Sequence, residues 1–167
     1  IYSDCITNID QYFKLVDDSE IIIHLAAETG TGQSGHEISR YCSTNVLGTA
    51  KLVETINKSK KRNKLILLAS SRSVYGEGSY VSPTGMIINH PRRANDNLGK
   101  GIFRPLNSSN EQLMPVATSE LAPCDPISVY AATKLQQEQI LQLGLNQAIA
   151  RAIIFRLQNV FGAGQSL

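Results

Sequence analysis

The sequence predicts an α/β protein built on a parallel sheet, and three observations carry that expectation. Residues 20–27, 64–69 and 152–157 form short runs rich in Ile, Leu, Val and Ala that read as strands. These runs are continuously apolar instead of alternating, the pattern of strands covered on both faces. Segments of helical period lie between them, and strands that alternate with helices imply right-handed crossovers in a parallel sheet.

Taken in order, residues 1–5 are too few to classify. Ile9, Phe13 and Val16 recur at helical spacing, with Asn8 as the expected N-cap, until Asp17, Asp18 and Ser19 break the pattern. The first strand follows at 20–27. Residues 28–35 are a turn-rich loop holding Gly30, Gly32 and Gly35. From His36 a helix is predicted whose inward face is Ile38, Cys42, Asn45, Thr49, Leu52 and Ile56, ending between Asn57 and Lys61. The second strand, 64–69, leads into Ser70, Ser71 and the turn to Gly76. Residues 77–126 show little periodicity and are rich in Pro, Gly, Asn and Ser. So long a structureless loop is unusual in a compact domain, so this stretch is either a lid or insertion or holds short elements. A helix follows Pro126 to about Leu143, with Gly144 as its C′ residue. The third strand turns out through residues 159–164. The expected organisation is one partial domain over 1–167 with an insertion at about 77–126.

Composition narrows the function classes. The 167 residues are 42% hydrophobic and 18% charged, with a net charge of +2, a balance that does not point to nucleic acid. The run Lys58 to Arg62 reads as a solvated helix end favoured by the helix dipole. Cys5, Cys42 and Cys124 stand far apart without metal-ligand spacing, which fits a reducing cytoplasm and implies no metal. His24 reads as a packed strand histidine, Cys42 as core and Cys124 as a loop thiol. No apolar run is long enough to span a bilayer, and no membrane partner is expected.

In open parallel sheets ligands bind beyond the carboxyl ends of the strands. The informative stretches are therefore 26–32, 70–76 and 158–164, together with the start of the last helix. That helix carries Tyr130 four residues before Lys134, which puts both on one face. An ammonium beneath a phenol favours the phenolate and lowers a pKa that is otherwise about 10. The pair could thus move a proton on or off a hydroxyl. The bland alternative is a half-buried tyrosine and a solvated lysine.

Five motifs occur in one order: His24-Leu25-Ala26-Ala27, Asn45-x-x-Gly48-Thr49, Ser70-Ser71-x-x-Val74-Tyr75-Gly76, Tyr130-x-x-x-Lys134 and Arg156-x-x-Asn159-x-x-Gly162. Together they resemble the extended short-chain dehydrogenase/reductase family, specifically its NAD-dependent nucleotide-sugar epimerases and dehydratases. The resemblance implies a Rossmann-like, doubly wound parallel sheet with helices on both faces. It implies that Tyr130 is the general base and that Lys134 lowers its pKa and binds the nicotinamide ribose. Ser71 would bond the reacting sugar hydroxyl, and Leu25, Ala26 and Ala27 would line the cofactor. Asp4 and Cys5 match the family's pair at the adenine edge, and Asn159 would contact the sugar-nucleotide diphosphate. Asn45 reads as structural, bonding backbone. The implied cofactor is NAD ahead of NADP, the implied partner a nucleotide-sugar, and the full-length protein a cytoplasmic homodimer serving polysaccharide biosynthesis.

Two departures refine this. Dehydratases of the family carry Asp-Glu just after the Ser71 position, where this chain has Arg72 and Ser73. Epimerisation, at C4 of a dTDP- or UDP-sugar through a keto intermediate, is therefore expected ahead of dehydration or reduction. A non-catalytic dinucleotide-binding protein is the alternative from another class. The glycine-rich phosphate loop is also absent. The chain is accordingly expected to be a piece of a longer protein, inactive and poorly soluble alone, with that loop before Ile1 and a substrate domain after Leu167. Loop 30–35 is expected to border the substrate through Thr31, Gln33 and Ser34. Arg72 could meet either phosphate or solvent.

Overall fold

A computed structural model describes residues 1–164. Its helices are α1 (Phe13–Asp18), α2 (Thr31–Ser34), α3 (Ile38–Tyr41), α4 (Gly48–Asn57), α5 (Asn95–Gly99) and α6 (Val129–Gly144). Its strands are β1 (Ile21–His24), β2 (Lys64–Ser71), β3 (Ser79–Val81), β4 (Ile87–Asn89), β5 (Met114–Pro115) and β6 (Ala150–Leu157). The chain divides into two compact units, one formed by Ile1–Val74 with the segment from Ile127 onward, the other by Tyr75–Pro126.

The first unit holds a parallel sheet in the order β1–β2–β6. Ile22 pairs with Ile66, and Ser70 with Arg156. Side chains alternate across a strand, so Ile66, Leu68 and Ser70 share one face with His24 and Arg156. Helices α4 and α6 cover that face, and α1 packs on α4. The core between them is Leu52, Val53, Ile56, Ile66, Leu68 and Leu141, with Val16 and Leu145 at its margins. Each such side chain contributes about 1.5–3 kcal/mol on burial.

The parallel α/β architecture matches the sequence expectation, but helices cover only one face among the described residues. Ile21, Ile23, Ile153 and Phe155 on the other face are 58%, 63%, 45% and 46% exposed. Right-handed crossovers that advance in one direction across a sheet all land on the same side. Both crossovers here, β1 to β2 and β2 to β6, advance that way.

Several boundaries differ from the sequence reading. The first helical segment is a 3-10 turn, Ile6–Tyr12, running into α1, and Asn8 lies inside it instead of capping it. Residues from Ile38 to Asn57 form one continuous helical rod interrupted by a π segment, Cys42–Leu47. The predicted inward face holds for Asn45, Thr49, Leu52 and Ile56 but fails before them. Tyr41 is buried in place of Cys42, and Ile38 is half exposed. A π turn carries one extra residue, so counting back at a fixed 3.6 period lands one position late. Within the rod, a Cβ on Gly48 would lie 2.3 Å from Ile6 Cγ2, so only glycine admits this close approach. Gly144 is the last helical residue, with Leu145 as the cap, and it packs against Val53.

The second unit is not structureless. An antiparallel sheet in the order β4–β3–β5 organises it, and α5 follows β4. Its strands are two or three residues long, too short to leave a periodic signal. Gly78, at φ +80°, is required twice over, because a Cβ there would also sit 2.6 Å from Thr118 Oγ1. Ion pairs of Arg93 with Glu77 (2.8 Å) and Arg92 with Asp125 (2.5 Å) brace this unit's edge.

Candidate active site

Helix α6 positions the central pair. Its residues favour helix, and Ser128, extended at φ −144°, caps it by accepting the Ala131 N–H at 3.1 Å. Because α6 runs antiparallel to the strands, its first turn lies at their carboxyl edge. Tyr130 sits in that turn, half-buried. Lys134 follows one turn deeper and is only 3% exposed. Its ammonium donates to the Ala69 carbonyl near the end of β2 and to Gln137 Oε1, both at 2.6 Å. An ammonium has three donors, so these bonds leave one for a ligand. Burial pulls the Lys134 pKa down from 10.5 to about 8, partly opposed by the negative charge of Glu138.

Ser71 is the last residue of β2, two positions beyond the carbonyl that holds Lys134. Its Oγ accepts from the Ser73 N–H at 3.1 Å and from the Ser73 hydroxyl at 2.9 Å. With both lone pairs engaged, the Ser71 proton is left to donate outward. Leu25, Ala26 and Ala27 leave β1 at the same edge; Leu25 is 69% exposed and Ala26 also lies open. Asn159, two residues past β6, is exposed.

Asp4 and Cys5 precede the first 3-10 turn. The Asp4 carboxylate accepts from the Cys5 N–H (2.7 Å), Asn8 Nδ2 (2.9 Å) and the Tyr12 hydroxyl (2.9 Å). The bond from Asn8, then those from Tyr12 and Cys5, lower its pKa. Of the loop groups expected to border a substrate, Ser34 is buried and donates to the Thr31 carbonyl at 2.6 Å, while Gln33 is engaged with Glu37 at 2.7 Å. Ser34 is thus removed from the candidate surface.

Beneath the edge lies a polar network with one consistent proton order. Gln137 Oε1 faces Lys134, so its amide nitrogen donates to Thr49 Oγ1 at 2.8 Å. Thr49 donates its only proton to the Asn45 carbonyl at 2.6 Å. His24 Nε2 lies 2.8 Å from Thr49 Oγ1 and 3.3 Å from Gln137 Nε2; with the Thr49 proton given to Asn45, the Nε2–H tautomer makes the shorter bond as donor. Burial, and then the Lys134 charge, lower the His24 pKa from 6.5 to about 4, which keeps it neutral. Asn45 bonds the Glu28 backbone in both directions, N–H to Oδ1 at 2.8 Å and Nδ2 to carbonyl at 3.1 Å, and also donates to Thr133. Its expected backbone-bonding role is thereby met, and His24 is the packed histidine the sequence suggested.

Sequence reasoning missed Gln137 and Glu138. Glu138 is 1% exposed and paired with Arg156. A signal was present: positions 134, 137, 138 and 141 share the inward side of α6, and three of the four are polar. Polar residues at buried helical positions mark a site or a network.

The family model described as "NAD dependent epimerase/dehydratase family" matches residues 3–95 and 107–166. The chain belongs to this family. Among NAD-dependent epimerase/dehydratase relatives, a dTDP-L-rhamnose 4-epimerase of Burkholderia thailandensis is 43% identical over 148 residues, covering 89% of this chain and 40% of that protein. A dTDP-D-glucose 4,6-dehydratase of Dictyostelium discoideum is 30% identical over 163 residues, 98% of this chain and 31% of that protein. This chain therefore spans less than half the length of either relative. Among solved structures, MoeE5 in complex with UDP-glucose and NAD superposes with a TM-score of 0.68 at 24% identity, covering 99% of this chain and 43% of that one. UDP-glucuronic acid 4-epimerase from Bacillus cereus in complex with NAD gives 0.65 at 24% identity, covering 97% and 39%. These superpositions establish the fold. Among the described residues no helix is long and apolar enough to cross a membrane.

Proposed function

We propose that the protein containing this chain is an NAD-dependent nucleotide-sugar 4-epimerase acting on a dTDP- or UDP-sugar. The observation that carries the reading is the placement of Ser71, Tyr130 and Lys134 at one edge of a parallel sheet, in a family member 43% identical to a dTDP-L-rhamnose 4-epimerase. Arg72 and Ser73 stand where a dehydratase would need its acid and base, and Ser73 is occupied in bonding Ser71. This favours epimerisation over the elimination of water.

The residues at this edge suit a dinucleotide. Leu25, Ala26 and Ala27 offer small or open side chains at a strand end, Lys134 retains one donor for a ribose hydroxyl, and Asp4 and Cys5 would serve the adenine end. NAD, when bound, supplies the hydride acceptor and donor. Tyr130 would take the proton of the sugar C4 hydroxyl as general base, with the Lys134 ammonium one helical turn away. Ser71, its lone pairs filled by Ser73, would donate to the same sugar oxygen and steady it through the keto stage. Asn159 would hold the diphosphate. Once the keto-sugar has turned its opposite face towards the cofactor, Tyr130 would return its proton to the C4 oxygen, and the product would be the C4 epimer.

The test is incubation of the full-length protein with dTDP- and UDP-hexoses, followed by NMR of the products. A C4 epimer without net NADH is expected, and Tyr130→Phe should abolish it. Steady NADH formation would point to a dehydrogenase or reductase, and NAD binding without turnover of any sugar would favour a dinucleotide-binding protein. A homodimer and a cytoplasmic location follow from the family resemblance, and sedimentation of the full-length protein checks the first.

A further inference from the structure

Glu138 is a fully buried carboxylate for which the proposed reaction has no direct use. It projects from α6 one turn beyond Lys134 and meets two strands at once. Arg156 of β6 donates Nη2 to Oε2 at 2.8 Å and Nε to Oε2 at 3.1 Å and Oε1 at 3.2 Å. The Ser70 hydroxyl of β2 donates to Oε1. Ser70 and Arg156 are partners in the sheet register, so the carboxylate grips one rung from both sides. That rung is the last before Ser71, and the next carbonyl back along β2, at Ala69, holds the Lys134 ammonium.

We infer that Glu138 is a positioning residue for the reaction, a clamp that fixes the height of the Tyr130–Lys134 helix against Ser71. The inference rests on the epimerase reading above. The carboxylate is 1% exposed and Arg156 is 24% exposed in its side chain, so water does not compete for the inner arms of the clamp. Three elements meet on one group: the helix bearing Tyr130 and Lys134, the strand ending in Ser71 and the strand leading to Asn159. Sliding α6 by a fraction of a turn would break the bonds to both strands together.

The clamp also sets the charge around Lys134. The charged or titratable groups acting on that ammonium are Glu138 on its own helix and His24 from β1, with Arg156 of β6 paired to Glu138 behind it. The rod containing α4 presents the neutral Thr49 and Asn45. His24 is neutral and Arg156 is cationic, which leaves Glu138 as the negative charge of the set.

The test is Glu138→Gln in the full-length protein, assayed beside the wild type and Tyr130→Phe. The amide keeps the shape and the Ser70 bond but loses the charge and faces Arg156 with a donor. The expected result is kcat lower by about 10- to 100-fold with KM little changed, the scale of a misplaced catalytic group. The alkaline limb of the kcat–pH profile should also move to lower pH. Glu138→Asp, which restores the charge, should regain part of both. A variant that melts earlier but keeps wild-type kcat and pH limb would overturn the inference and leave Glu138 as a stability residue. Should Glu138→Gln not fold, Ser70→Ala, which removes one arm, replaces it; a kcat reduced about threefold or more at constant KM supports the clamp, and wild-type kcat overturns it. Tyr130→Phe with a kcat close to wild type would instead sink the epimerase reading itself, so the two failures are distinct.

Discussion

At the scale of single residues, the candidate site is governed by burial. Lys134 titrates near 8 in place of 10.5 because its ammonium is desolvated. If the reaction needs the Lys134 ammonium, kcat should fall as pH rises through about 8, and a kcat–pH profile of the full-length protein checks this. The stability term has the opposite sign. The folded pKa lies below the unfolded one, so between about 8 and 10.5 the unfolded chain holds the extra proton and this term favours folding more as pH rises. Tyr130→Phe removes the acid–base group and should cost about 10²–10⁴-fold in kcat with the fold intact, as read by circular dichroism. His24 gives a separate acid-side prediction. Its folded pKa of about 4 lies below the ordinary 6.5. The stabilisation is complete above pH 6.5 and is lost as pH falls through 4, about 3 kcal/mol in all. Urea midpoints should drop more between pH 7 and pH 4.5 for wild type than for His24→Gln.

At the scale of elements, the contact between the first 3-10 turn and the rod over it depends on a missing side chain. Ala is a better helix former than Gly by about 1 kcal/mol. Yet Gly48→Ala places a methyl 2.3 Å from Ile6 Cγ2, and overpacking costs about 1–3 kcal/mol. A net loss of stability is expected, and the same change made beside Ile6→Ala should cost less than the two changes summed, as chemical denaturation would show. Elements of this kind also mark what could be read in the sequence. The strands were legible because their apolar runs are unbroken, and α6 because Pro126 precedes it and Gly144 lies at its end. Ser71, Tyr130 and Lys134 were legible as motifs. The inward shift to Tyr41 was not, because a π turn breaks the period without leaving any mark in residue type. The second unit was not, because strands of two or three residues have no period. Glu138 left a signal as a polar residue on the inward side of α6, but its partners Ser70 and Arg156, 68 and 18 residues away on two strands, left none.

At the scale of the whole molecule, the open face of the first unit's sheet sets the solution behaviour. Ile21, Ile23, Ile153, Phe155 and Leu157 form an exposed apolar surface across two strands, with Leu65 and Leu67 half-exposed between them. Apolar surfaces of this kind drive association. The 167-residue chain alone is expected to self-associate and to bind a hydrophobic dye. Sedimentation velocity checks this, and a monodisperse monomer would contradict it. The same face has a consequence for how the strands know their own inside. Ile21, Ile22 and Ile23 on β1, and Leu65, Ile66 and Leu67 on β2, offer nearly equal grease to either side. Hydrophobicity therefore cannot choose which side receives the helices, and a shift of one residue would exchange the two sides. The choice is written in polar letters: His24, Ser70 and Arg156 all point one way, towards Thr49 and Glu138. In this sheet the greasy residues supply cohesion, and the buried polar ones carry the sense of direction.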